Sequence, residues 1–197
     1  MHPNRAFAWA DRKAMLAFLA ARAFCTICAD GPAVAHAPVV VAGPDRLRFH
    51  LSRGNGAVPS LDGKRAILSC LGPDAYVSPD WYGTEDQVPT WNYLAVEAEG
   101  SLRRLDEVEL AGLLDDLSAA HERRLAPKPA WTRDKMTSGR FEAMLKAIVG
   151  YELVIEELRG TRKLGQTKQA DERENAAQGL APFHPEMAAL MRRERSA

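Results

Sequence analysis

The feature that most limits how this chain can fold is its turn punctuation. Three short runs suited to extended backbone, Phe24 to Ala29, Val34 to Ala42 and Leu47 to Leu51, are separated by Asp30-Gly31-Pro32 and Gly43-Pro44-Asp45. Gly, Pro and Asp supply the preset or positive φ angles that reverse a chain, so the runs read as consecutive hairpins. Arg65 to Leu71 and the long run Thr90 to Leu102 add two strands, and Tyr151 to Leu158 returns as another. Helices are expected over Asp11–Arg22, Asp106–Leu125, Ser138–Ile148 and Glu172–Ala177, with a last one from near Pro182. Asp11 and Asp106 suit N-caps, and Val108, Leu110, Leu113, Leu114 and Leu117 recur at helical spacing. Strands local in sequence with helices around them point to an α+β fold built on an antiparallel sheet or barrel.

Charge and cysteine usage exclude several classes. The 26 basic residues match the 26 acidic ones, so the chain lacks the overall positive footprint of a nucleic-acid binder. Neutrality does not exclude DNA binding, but the run Arg192-Arg193-Glu194-Arg195 reads first as a solvated helix end favoured by the dipole. No apolar run approaches the ~20 residues that span a bilayer, and the first residues carry no signal pattern, so a cytoplasmic protein without a membrane segment is expected. Cys25 and Cys28 spell C-x-x-C within a strand, where positions three apart face opposite ways. With Cys70 they read as structural thiols. No group of residues has metal-ligand spacing, and no catalytic residue is assigned.

Two segments could carry chemistry. Residues 76–93 hold two of the four tryptophans and three of the four tyrosines, and overlap the Pro-containing stretch 72–89 that reads as a long loop. Such a concentration builds a flat binding wall, an oligomer interface or a satellite core. The turn after the third strand offers His50, Ser52, Arg53 and Asn55 beside Gly54 and Gly56. That is either an ordinary solvated turn or an anion site, since phosphate favours Arg, hydroxyl and backbone donors.

The string Tyr76-Val77-Ser78-Pro79-Asp80-Trp81-Tyr82, followed by Val88-Pro89-Thr90-Trp91-Asn92-Tyr93-Leu94, resembles the signature of the PaiB-type FMN-binding negative transcriptional regulators. The Ala35-His36-Ala37-Pro38 strand, the turn from Phe49 to Asn55 and the segment Lys163-Leu164-Gly165-Gln166-Thr167-Lys168 fall in the family's order. In the last, Gly165 stands where the family has Ser and Thr167 where it has Asn. The resemblance implies an FMN-binding split β-barrel, antiparallel and Greek-key-like with peripheral helices, related to pyridoxamine-phosphate-oxidase-like flavoproteins. It implies a homodimer with FMN at the interface. The barrel domain would cover residues 1–160, with 161–197 packing on the same domain. His50, Ser52, Arg53 and Asn55 would take the phosphate; His36, Pro38, Trp91 and Asn92 would meet the ring; Lys163 and Gln166 would close over its polar edge. Regulation, flavin-dependent oxidoreduction, a plain flavin carrier or sensor, and a haem-handling role centred on His50 stay open.

Overall fold

The structure, a computed structural model, describes residues 2–31 and 33–194; Pro32 of the first turn and Arg195 of the terminal basic run lie outside them. Among the described residues seven strands are present: β1 (Ala8–Trp9), β2 (Phe24–Ala29), β3 (Ala33–Gly43), β4 (Arg46–Ser52), β5 (Arg65–Val77), β6 (Thr90–Arg104) and β7 (Ile148–Lys163). Five helices accompany them: α1 (Arg12–Arg22), α2 (Glu107–Glu122), α3 (Arg140–Leu145), α4 (Ala170–Leu180) and α5 (Pro185–Arg193). The sheet runs β1-β7-β4-β3-β2-β5-β6, and β7 also pairs with β6, so β2 to β7 close into a six-stranded barrel. Closure removes the exposed edges that an open sheet leaves. No helix among the described residues is long and apolar enough to cross a membrane.

The chain forms two compact units. The barrel unit comprises residues 16–70 and 97–158. Its interior follows from alternation along β4, where Leu47, Phe49 and Leu51 are buried and Arg46, Arg48, His50 and Ser52 face outward. Phe49 sits opposite Tyr151 in the ladder, their rings stacked at 5.6 Å, and the Tyr151 hydroxyl donates to the Val58 carbonyl at 3.1 Å. Outside the barrel wall, Leu105 together with Leu110, Leu113 and Leu117 of α2 and Leu145 of α3 forms a second apolar cluster. Asp106 starts α2 with a reciprocal cap, its side chain accepting from the Glu109 amide while the Glu109 carboxylate accepts from the Asp106 amide. Gly100 is required by close approach: a Cβ there would lie 1.8 Å from the Val154 carbonyl oxygen.

The second unit comprises residues 2–15, 71–96 and 159–194, and so takes β1, the far parts of β5, β6 and β7, and helices α4 and α5. Its contact between Trp81 and Gly179 is also close, since a Cβ at Gly179 would come 2.5 Å from the indole Cγ. Trp81 also stacks on Phe183 at 6.3 Å.

Four expectations are corrected, and one strand was not anticipated. The fourth strand does not stop at Leu71; it runs on to Val77, its buried positions shifting from Gly72 to Ala75 and Val77 across Pro73-Asp74, which shortens the loop. The third helix is only Arg140–Leu145, because Ile148 already pairs with Ser52 in the β4–β7 ladder. Val108, counted in the apolar stripe of α2, is solvent-exposed. The last helix begins at Pro185 rather than near Pro182. The two-residue strand β1, paired with Thr161 and Gly160, carried no sequence signal at that length.

Candidate functional site

In the barrel unit the expected residues lie on β3, on β4 and in the turn after it. His36 is exposed and Pro38 half-buried on the outer side of β3, between the inward Ala35, Ala37 and Val39. The His36 ring stacks on the exposed Phe24 at 6.5 Å. Ser52 ends β4 and is exposed, as are Arg53 and Gly54. The Arg53 backbone amide donates to Ala147 O at 2.8 Å. Its guanidinium is held by two carbonyls, Lys146 O at 2.8 Å from Nε and Ile148 O at 3.1 Å from Nη2. A guanidinium has five N–H donors in a rigid fork, so this anchoring uses two and orients the others. Arg53 thereby lines a pocket of about 190 Å³ with Arg104 and Lys146. The Asn55 Oδ1 accepts from the Ala57 amide, which shapes the turn and leaves the amide NH2 group as its remaining donor.

His50 does not join that turn. Its ring lines a different pocket, between β4 and the segment 114–148. Its Nδ1 is sealed from solvent and has no hydrogen-bond partner. Burial pushes the ring's pKa below the ordinary histidine value, so the imidazole is neutral at pH 7.

In the second unit the aromatic stretch divides. Tyr82 is buried; Lys168 sits over its ring at 4.7 Å, and burial, then the Glu172 charge, raise its pKa. Thr84 and Gln87 both donate to Glu172 of α4, at 2.8 and 3.2 Å, and tie the stretch to that helix. Tyr76 and Trp91, by contrast, are surface residues in an edge-to-face pair at 6.3 Å. Trp91 is 51% exposed, and its Nε1 donates to Asp74 at 3.1 Å. Satellite core and surface wall are thus both present, split between Trp81-Tyr82 and Tyr76-Trp91.

Asn92 is 1% exposed and points inward with Leu94 and Val96, and its Nδ2 has no partner. Gln166 is also buried, but bonded at both ends: it accepts from the Leu164 amide at 2.8 Å and donates to Arg162 O at 2.5 Å. Lys163 ends β7, donates to Thr90 Oγ1 at 2.5 Å and lies over the Phe7 ring at 5.8 Å. Burial lowers its pKa.

Two features were missed in the sequence. Glu152 on β7 is fully buried, bonded to Arg46 at 2.9 Å, Arg48 at 2.7 Å and Arg103 at 2.9 Å. Cys25 pairs across the ladder with Cys70 rather than with Cys28: Thr26 faces Ser69, the two cysteines come next in that register, and both are buried. Both are free thiols; a hydrogen bond with Cys70, then burial, push the Cys25 thiol up.

Comparison with known proteins places these features in a family. Residues 1–157 match the model of the family described as "Putative FMN-binding domain". The Bacillus subtilis (strain 168) "Protease synthase and sporulation protein PAI 2" is 32% identical over 147 residues, which cover 72% of this chain and 70% of that protein. The structure of the FAD and heme binding protein from Mycobacterium smegmatis aligns with a TM-score of 0.61 at 22% identity, covering 87% of this chain and 80% of that one. The flavocytochrome Anf3 from Azotobacter vinelandii aligns with a TM-score of 0.58 at 18% identity, covering 83% and 73%. At those identities the two structures establish the split-barrel fold, whereas the family model spans most of the chain. The chain therefore belongs to the PaiB-type family of FMN-binding split-barrel proteins.

Proposed function

We propose that this chain is a homodimeric flavin carrier of PaiB type, with the FMN phosphate received by the turn of Ser52, Arg53 and Asn55. The observation that carries this assignment is the anchoring of Arg53: two carbonyl acceptors at 2.8 and 3.1 Å fix the fork and leave its other N–H groups for an anion. Ser52 adds a hydroxyl, Asn55 an amide, and Arg104 and Lys146 two further cations around the same pocket. The donor set fits a phosphate, because charge-assisted donors outnumber what one turn needs for its own geometry. Asp106 and Glu107 also line that pocket, but the Asp106 carboxylate is engaged in capping α2.

The ring is assigned to the outer side of β3, where His36 and Pro38 offer a polar edge and a flat apolar surface. Bound FMN supplies two-electron redox chemistry, while this chain's residues bind and orient it. Dimerisation draws support from large apolar side chains left exposed, Phe24 and Val34 in one unit and Leu71, Tyr76 and Trp91 in the other. In the second unit we assign Trp91 to that interface and Lys163 to a polar surface. His50 and Asn92 are left out of the flavin site, the first because it lines another pocket, the second because it lies in the interior.

The test is a flavin-fluorescence titration. The purified protein should retain about one FMN per chain, and Arg53→Ala should weaken binding about tenfold or more through loss of phosphate pairing. Unchanged affinity would remove Arg53 from the site. A Soret band in place of a flavin spectrum would transfer the assignment to haem. For the role of the bound flavin, oxidation of a nicotinamide cofactor would mark turnover, and salt-sensitive retention on DNA would mark direct regulation.

A further inference from the structure

The pocket beside His50 has a chemistry of its own. It measures about 330 Å³ and lies wholly within the barrel unit. Its walls include Trp131, Met136, Phe141, Met144 and Ile148, which combine two flat aromatic faces with two flexible thioethers. Such lining accepts a planar apolar guest, since methionine adapts its shape and aromatic rings stack on flat faces. A cavity of a few hundred Å³ with few polar groups is the usual form of a small-molecule site.

Those polar groups narrow the class of guest. Arg133 and Asp115 line the pocket too, but they face each other at 3.5 Å, and the guanidinium sits over the Phe141 ring at 5.1 Å. They offset one another and leave the pocket no net charge to recruit an ion. His50 is the remaining titratable group in the lining. A proton on its sealed Nδ1 would have no acceptor, so the favoured neutral tautomer carries the proton on Nε2. The imidazole is then a neutral donor in an apolar wall, where a charged guest would suffer the same desolvation that keeps the ring unprotonated.

We propose that this pocket binds a small, uncharged, planar aromatic molecule bearing one hydrogen-bond acceptor, of the aryl ketone or quinone class, held by the aromatic and methionine walls and oriented by His50. The site is separate from the phosphate-binding turn and stands whether or not the flavin reading does.

The experiment uses the full chain, with and without FMN, and fluorine NMR of para-fluoroacetophenone. Saturable broadening of the probe resonance is expected. Met144→Trp, which fills the pocket from a half-exposed position, should abolish it. His50→Phe, which keeps the ring and removes the donor, should weaken binding about tenfold. The anionic analogue para-fluorobenzoate should bind more weakly than the ketone. Broadening that never saturates, or that survives Met144→Trp unchanged, overturns the proposal, as does tighter binding of the benzoate. A parallel FMN titration should leave both variants at wild-type affinity. Loss of FMN binding in Met144→Trp alone would place the flavin itself in the pocket and overturn the separate site. Failure of the wild-type chain to bind FMN would sink the flavin reading while leaving the ketone result standing.

Discussion

The two units differ in the polar groups that they bury. The barrel unit encloses a full charge, Glu152, 0% exposed, and surrounds it with three guanidinium groups; Arg103 also grips Glu109 through two bonds of 2.8 Å. The second unit encloses the Arg173 side chain, 8% exposed, and two neutral amides, Gln166 with both ends satisfied and Asn92 with its Nδ2 unpaired. The difference bears on what each arrangement tolerates. A buried carboxylate is held against its own desolvation only while its partners remain, so one missing bond exposes the whole penalty. A buried amide costs less, and when unpaired it can be replaced by an apolar group with little loss.

The largest expected effect tests backbone closeness in the two units. Gly100→Ala would drive a Cβ into the Val154 backbone, which cannot move without parting β6 from β7. Gly179→Ala meets first the Trp81 side chain, which can shift. We expect the first to cost roughly 4 kcal/mol or prevent folding, and the second about 1–3 kcal/mol. Equal urea midpoints for the two variants would show that barrel closure is as adaptable as side-chain packing.

Next comes Glu152→Gln, which leaves three guanidinium groups without their shared carboxylate. A loss of about 3–5 kcal/mol is expected, since breaking one partner of a buried pair strands the other charges. The partly exposed arginines favour the lower end of that range. The same network gives a pH signature. Burial raises the Glu152 pKa, but the bonds from Arg103 and Arg48 outweigh it and hold the group below the ordinary value. The Arg103 bonds, aided by the Asp106 amide, bring Glu109 down to about 2. Carboxylates depressed in the folded state stabilise it above their unfolded pKa of about 4.3, and that contribution fades as pH falls from there toward about 2. Urea midpoints between pH 7 and pH 3 should fall for the wild type and fall less for Glu152→Gln.

The smallest effects separate the two amides. Gln166→Leu should cost about 1–3 kcal/mol by stranding the Leu164 amide and the Arg162 carbonyl. Asn92→Leu should be within about 1 kcal/mol of neutral, because the lost amide had an unpaired donor. Thermal midpoints would decide, and a large loss for Asn92→Leu would show that its amide has a role the folded contacts do not display.

How much of this was legible depended on the range of the interactions. The β2–β3–β4 hairpins announced themselves because Asp, Gly and Pro act on their own backbone. The family string carried the fold, since it spans residues that stay together in the chain. Glu152 was silent because a charged residue in a strand reads as solvent-facing, and its partners lie 49 to 106 positions away. The aromatic stretch could not be divided beforehand either. Trp81 and Trp91 look alike in sequence, and only the small Gly179 makes a seat for the first. Among the expected site residues, Arg53 is held by carbonyls nearly a hundred positions away, while Asn92 turned inward with the strand's alternation.

The facing of Cys25 and Cys70 has a practical side. Both thiols are sealed inside the barrel, and Cys28 is exposed. Under native conditions a maleimide reagent therefore meets one reactive position per chain, without any engineered substitution. A nitroxide placed there makes a lone spin in a monomer and a pair of spins in a dimer. The appearance of a dipolar modulation would then report association directly, and its frequency would give the spacing of the two β2 strands.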